Sequence, residues 1–433
     1  MLKFDPFALD RSLARYAGQY ARFRALLARG GGAEHAFEFR PPELTLELLE
    51  ALRDAGDRDP LSAPLARWAG FLMLEHALVE PELRVAQALH AANHPLDRPE
   101  RGNFSVWEMR RRAAVDEQRR EGWLAALESR AQVVQARRFE LFERRAERAQ
   151  ALDLMPPAPL AVFPDAPERC LALSADAYAE LGIRSLADTL VAGLGRDVPG
   201  AFPTRLGLRA LADLLREGNW LSGLEPRLER SPEMWGASSF LRALSGLGSA
   251  LHDAGVNPRQ PFVVARDPYG LRSSLFGSLF ALLSLNPAFA ARRLEVSRSR
   301  FSDYLRALAR TVLLGVRVDC VRSRLALESA HGADSYRLTF REALPAALGF
   351  ELPPALAGVL WVDSSAPTRL LGLLAALAKN AHLTQAHDED WFRNPRAVAE
   401  LRAEFESAPP LAHEKRELEL GLELLGQTLR ELG

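Results

Sequence analysis

From Ser105 to about Leu152 no proline interrupts the chain, and Ala, Leu, Arg, Glu and Gln predominate. These are strong helix formers, and one helix of that length would span roughly 70 Å at about 1.5 Å per residue. Ser105-Val106-Trp107-Glu108 at its start matches a capping box, in which the serine hydroxyl and the glutamate carboxylate satisfy orphan N–H groups. A break near Gly122 is compatible with the same pattern. Helical periodicity recurs at 5–29, 43–54 and 62–93, and again at roughly 175–196, 205–217, 236–254, 271–284, 300–329, 366–381, 395–405 and 411–431. Only 261–265 and 336–340 look strand-like. The expected fold is all-α: a multi-helix, two-lobed bundle with at most a minor β element.

At 433 residues the chain exceeds the usual size of one domain. Pro156, Pro157, Pro159, Pro164 and Pro167 cannot continue a helix, so 156–168 reads as an extended linker. It would divide an N-terminal helical domain, 1–155, from a C-terminal one, 169–433.

Charge excludes some partners. A net charge of −1 lacks the basic footprint of a polyanion binder, so no nucleic-acid partner is expected. The Arg pairs 119–120, 137–138 and 144–145 are interleaved with Glu121, Glu140, Glu143 and Glu147, the pattern of a solvated, salt-bridged face. Lys3, Lys379 and Lys415 are the only lysines, a bias that a GC-rich genome explains. Two cysteines, Cys170 and Cys320, make no disulfide framework, and the N-terminus lacks a signal pattern. No window approaches 18 apolar residues, so no membrane span and a cytoplasmic location are expected.

The stretch FVVARDPYGLRSSLFGSLFALLSLNP, 262–287, carries the densest information. Asp267 and Pro268 suit the start of a turn or helix. From Leu271 apolar residues recur at 275, 279 and 282, and again at 276, 280 and 283, so the helix 271–284 is apolar nearly all round and central. Residues 301–328 form its amphipathic partner, with Leu305, Leu308, Val312, Val316 and Cys320 inward and Arg306, Arg310, Arg317 and Arg324 along another face.

This order of elements resembles the helical zinc metallopeptidases of the gluzincin type, the oligoendopeptidases and thimet oligopeptidase. DPYGL, Asp267 to Leu271, stands where their HExGH would be, with Gly270 at the matching glycine. LNPAFAARRL and the 301–328 helix look like the family's post-zinc helices. APTRLLGLLAALAKN and DEDWFRNPRAVAELRAEF are similar to its C-terminal substrate-side helices, with Arg369 at a matching arginine. The resemblance implies a peptidase fold whose metal centre has been lost. Asp267 and Leu271 replace both zinc histidines and Pro268 replaces the general base, leaving neither two ligands one turn apart nor a proton acceptor. Glu295 lies at a plausible distance for the third ligand, and Pro367-Thr368 stands where a tyrosine commonly precedes the arginine.

Elsewhere, His90 and His94 are the one histidine pair at i, i+4, a weak candidate metal site without a neighbouring base. His413-Glu414 lacks a second histidine, and the 382–390 cluster (His382, His387, Asp388, Glu389, Asp390) reads as capping material. Cys320 reads as a buried core thiol. Arg266, Asp267, Tyr269 and Arg272, with Arg369, are the candidate ligand-binding residues, suited to holding a carboxylate or a peptide end. No catalytic residue, metal or cofactor is assigned. The expectation is a non-catalytic, pseudopeptidase-like binding or scaffold protein with a peptide or protein partner in the cleft between the lobes. A divergent zinc hydrolase and a purely structural helical oligomer are the alternatives.

Overall fold

The computed structural model describes residues 5–29, 44–56, 59–91, 106–154, 160–196, 198, 204–226, 236–360, 364–407 and 414–432. Among them there is no strand, and the fold is all-α. In chain order the helices are α1 (Pro6–Arg29), α2 (Leu46–Asp54), α3 (Ser62–Ala91), α4 (Val106–Val115), α5 (Arg120–Ala151) and α6 (Ala166–Leu173). Next come α7 (Ala175–Ala179), α8 (Leu186–Ala192), α9 (Thr204–Glu217), α10 (Ala237–Gly255), α11 (Phe262–Ala265) and α12 (Leu271–Leu282). The last six are α13 (Pro287–Arg293), α14 (Phe301–Ser329), α15 (Ala333–Leu348), α16 (Ala366–His387), α17 (Pro395–Glu406) and α18 (Lys415–Leu432). No single described helix is long and apolar enough to cross a membrane.

Helix α12 is central, as its two apolar stripes require. Leu275, Phe276, Leu279 and Phe280 are buried between α10 on one side and α16 on the other, and a 3-10 turn, Leu283–Leu285, completes the element. These helices meet backbone to backbone. A Cβ at Gly248 of α10 would lie 2.2 Å from the carbonyl oxygen of Phe276, and one at Gly421 of α18 only 2.0 Å from that of Leu374 in α16. A second core joins α4 and α5 to α14 and α15 through Leu127, Phe142, Tyr336 and Phe340. A third joins α1, α2 and α3, with Val263 of α11 inserted into it.

Three expectations need correction. The anticipated single helix over 105–152 is two helices, broken at 116–119. There the Asp116 carboxylate accepts hydrogen bonds from the Arg119 amide (3.2 Å) and from the Trp123 indole (3.3 Å), closing one helix and fixing the next. Ser105 and its capping box lie outside the described residues.

Both strand-like segments are helical. At α11 the Asp10 carboxylate of α1 accepts the Phe262 and Val263 amides at 3.1 and 2.9 Å, capping a turn that Pro261 initiates. Residues 336–340 lie in α15, where Tyr336, Phe340, Leu344 and Leu348 are buried at four-residue spacing.

Arg317 does not share an exposed face with Arg306 and Arg310. It is buried in α14, donates to the carbonyls of Ala347 and Leu171 and to Ser174 Oγ, and lies 4.2 Å over the Tyr178 ring. A guanidinium has five N–H donors, enough to tie three segments together where lysine would not.

Candidate functional site

A cavity of about 430 Å³ lies between two walls drawn from distant parts of the chain. Tyr20 and Arg24 of α1, Glu75 and Glu82 of α3, and Arg138 and Arg145 of α5 supply the polar wall. Pro268, Tyr269, Leu325, Tyr336 and the start of α16 at Pro367 and Thr368 supply the other. Helical spacing builds the polar wall. Tyr20 and Arg24 are one turn apart, while Glu75 and Glu82, like Arg138 and Arg145, are two turns apart, so each pair shares one face of its helix.

The charges are mostly matched. Tyr20 donates its hydroxyl to Glu75 Oε2, and Arg145 Nη1 donates to Glu75 Oε1 at 3.3 Å. Arg24 pairs with Glu82. Burial raises the Tyr20 phenol, and Glu75 and Glu82 raise it further. Burial also holds the Glu82 carboxyl above its ordinary range against the pull of Arg24, and Glu82 Oε2 makes no hydrogen bond.

Arg138 is the exception. Its one hydrogen bond among the described residues runs from Nε to the Gly358 carbonyl at 3.3 Å, and it forms no ion pair there. Burial pushes its guanidinium down to about 10, still charged at neutral pH, partly offset by Tyr336 and Glu82. Three guanidinium groups thus face two carboxylates, and the surplus positive charge sits on Arg138. On the other wall of the same cavity the Tyr269 ring stands edge-on to Phe71 at 5.5 Å, and its hydroxyl has no hydrogen-bond partner among the described residues. Burial raises that phenol to about 12, so it is a neutral donor. An unpaired cation and an unengaged hydroxyl lining one cavity, with the Phe71 and Leu325 side chains also in its wall, can bind a monoanion.

The five ligand-binding residues expected from sequence do not converge. Tyr269 lines this cavity, whereas Arg266 is exposed and reaches the carboxylate (3.4 Å) and carbonyl (3.1 Å) of Asp253. Asp267 accepts the Tyr269 amide at 2.9 Å, capping a turn that ends at Gly270, whose left-handed φ of 69° starts α12. Arg272 is buried and donates to the Glu404 carbonyl at 3.0 Å, with the Glu404 carboxylate 3.4 Å away. Arg369 forks the Asp319 carboxylate at 2.7 and 3.1 Å, on the rim of a separate cavity.

Among the described residues no group of three His, Cys, Asp or Glu side chains is placed to hold a metal ion. The His90 side chain, His94 and His413 lie outside them. Glu295 is exposed after α13, with a left-handed φ of 54°. His382 and His387 both approach Glu400, at 3.3 and 2.9 Å, and hydrogen bonding from His387 holds that carboxyl low. The Cys320 thiol is buried against Cys170, and their hydrogen bond, then burial, raises it well above its ordinary value, which suppresses thiolate chemistry.

Arg138 and Arg145 were legible only as parts of salt-bridged Arg pairs. The missed signal is that Arg138, Phe142 and Arg145 share one face with Ala149, a face that turns inward.

No protein-family model matches this chain, and no curated protein sequence matches it. A solved structure described as "Structure of Pyrococcus furiosus Carboxypeptidase Apo-Mg" aligns over 99% of both chains at 14% identity, with a TM-score of 0.49. That is a similarity of helical arrangement alone. The chemistry of this chain rests on its own site.

Proposed function

We propose that this chain is a binding protein whose interhelical cavity receives the carboxylate end of a small peptide-like ligand. The observation that carries the reading is Arg138, a buried guanidinium without a counter-carboxylate in a cavity where every other charge is matched. An uncompensated buried charge is costly, and a ligand carboxylate would offset that cost. A carboxylate matches the fork of Arg138, Tyr269 offers a second donor, and Phe71, Leu74, Leu141 and Leu325 offer apolar surface to the adjoining side chain. About 430 Å³ falls within the usual range of small-ligand pockets and suits one or two residues of a peptide. The non-catalytic part of the reading is supported by DPYGL at 267–271, which forms a turn in which the Asp267 carboxylate is engaged by the Tyr269 amide.

The test is calorimetric titration with N-acetyl-dileucine and with its C-terminal amide. The acid should bind at least about tenfold more tightly, the worth of one charge-assisted hydrogen bond pair. Equal affinities, no binding of either, or hydrolysis of the peptide would refute the reading.

A further inference from the structure

A second cavity, of about 680 Å³, lies farther toward the N-terminal end of α14, beside residues 311–322 rather than 325–329, and is walled also by α4, α8, α10, α12 and α16. Four guanidinium groups, from Arg110, Arg242, Arg322 and Arg369, line it. Among the described residues one carboxylate, Asp319, faces them, and it is already shared by Arg322 (3.2 Å) and Arg369 (2.7 Å). Arg111, also in the wall, is paired with Glu108 at 2.5 Å. Among the described residues Arg110 and Arg242 have no carboxylate partner, so the excess is at least two positive charges.

Arg110 makes no hydrogen bond or ion pair among the described residues, and its Nε is sealed from solvent, as is that of Arg322. Burial, then proximity to Arg322 and Arg242, pushes the Arg110 guanidinium down to about 10. Arg242, at the exposed mouth, has a single hydrogen bond among the described residues, to Ser239 Oγ at 3.4 Å. The hydroxyls of Ser238, Ser245 and Ser278 line the same space and are unengaged among the described residues.

The rest of the wall is apolar, with Leu190, Leu194, Leu241, Leu285, Leu314 and Leu373 prominent. Gly315 widens it, since a Cβ there would meet nothing within 4 Å.

We propose that this cavity is a binding site for an amphiphile with a phosphate head, held by Arg110, Arg242 and Arg322, and an apolar tail lying along α14 past Gly315. Like charges gathered in a partly dry space destabilise the empty protein, and an anion reverses that penalty. An excess greater than one charge, beside free hydroxyl donors, favours a phosphate over a monocarboxylate. The apolar wall excludes a bare ion as the full occupant.

Dodecyl phosphate is the probe, titrated by calorimetry into the full chain beside dodecanoate, dodecyltrimethylammonium and inorganic phosphate. Dodecyl phosphate should bind saturably, one per chain, and at least about tenfold more tightly than each of the other three. Arg110→Gln should weaken it by at least about tenfold while leaving the ligand-free melting temperature unchanged or higher, because the arginine has only like-charged neighbours to lose. Gly315→Leu should fill the tail region and abolish binding, and Arg110→Gln stands as the test if that variant misfolds. Absent binding, equal binding of the trimethylammonium or the carboxylate, equal binding of inorganic phosphate, or a lowered melting temperature in Arg110→Gln overturns the proposal.

Discussion

Asp267 shows how one side chain can be read correctly in type and wrongly in role. The residue does start a turn, but its carboxylate is spent on the Tyr269 amide and on those of the turn that follows, four residues before α12 begins. Burial raises its carboxyl above the ordinary value despite those bonds. A raised folded-state value means that stability is complete at a pH below the unfolded value and falls as pH rises through the folded one. Asp267→Asn should therefore match the wild type in acid and exceed it at neutral pH, with the gap opening on the acid side. Urea denaturation across pH checks this; a gap of constant size, or of opposite sign, would contradict the assignment.

Arg317 makes the complementary point, because nothing in its local sequence separates it from the exposed Arg306 and Arg310. Only the fold places Ala347, Leu171 and Tyr178 around it. Arg317→Leu leaves the Ala347 carbonyl without its guanidinium donors, while Leu171 keeps the Ser174 hydroxyl, and should cost about 2 kcal/mol. The urea midpoint should fall with the slope unchanged.

At the scale of elements, periodicity identified the helices well, and the errors came from interactions that periodicity does not encode. Residues 262–265 are β-prone in composition, yet a carboxylate 252 residues away in sequence caps them into a helical turn. The helix over 105–152 was broken by one aspartate whose side chain turns back on the backbone. Close helix approach is equally invisible before folding. Gly246 and Gly248 lie on the same helix, but a Cβ at 246 meets nothing within 4 Å and one at 248 strikes the α12 backbone. Gly248→Ala should therefore destabilise by about 2 kcal/mol or more through overpacking, whereas Gly246→Ala should stabilise by about 0.5–1 kcal/mol. Denaturation of the two variants side by side checks the packing of α10 on α12; equal effects would contradict it.

At the scale of the whole molecule, the all-α architecture and the central place of 271–284 were legible, because both follow from composition and apolar spacing. The site was legible only in part. Tyr269 was singled out, but Tyr20, Glu75, Glu82, Arg138 and Arg145 come together from three helices that only the tertiary fold brings to one cavity. An interleaved run of Arg and Glu is usually a solvated face, and most of this one is: Arg137 with Glu140 and Arg144 with Glu147 pair at the surface. Arg138 lies in the same run and turns inward. The molecule thus places matched ion pairs around one cation that lacks a carboxylate of its own.

The most direct measurement of that claim is a thermodynamic cycle. N-acetyl-dileucine and its amide are titrated into the wild type and into Arg138→Gln, and the four binding free energies are compared. The preference of the wild type for the acid should be about 1.5–3 kcal/mol and should vanish in the variant, with the amide bound equally by both proteins. An acid preference that survives in Arg138→Gln would contradict the account.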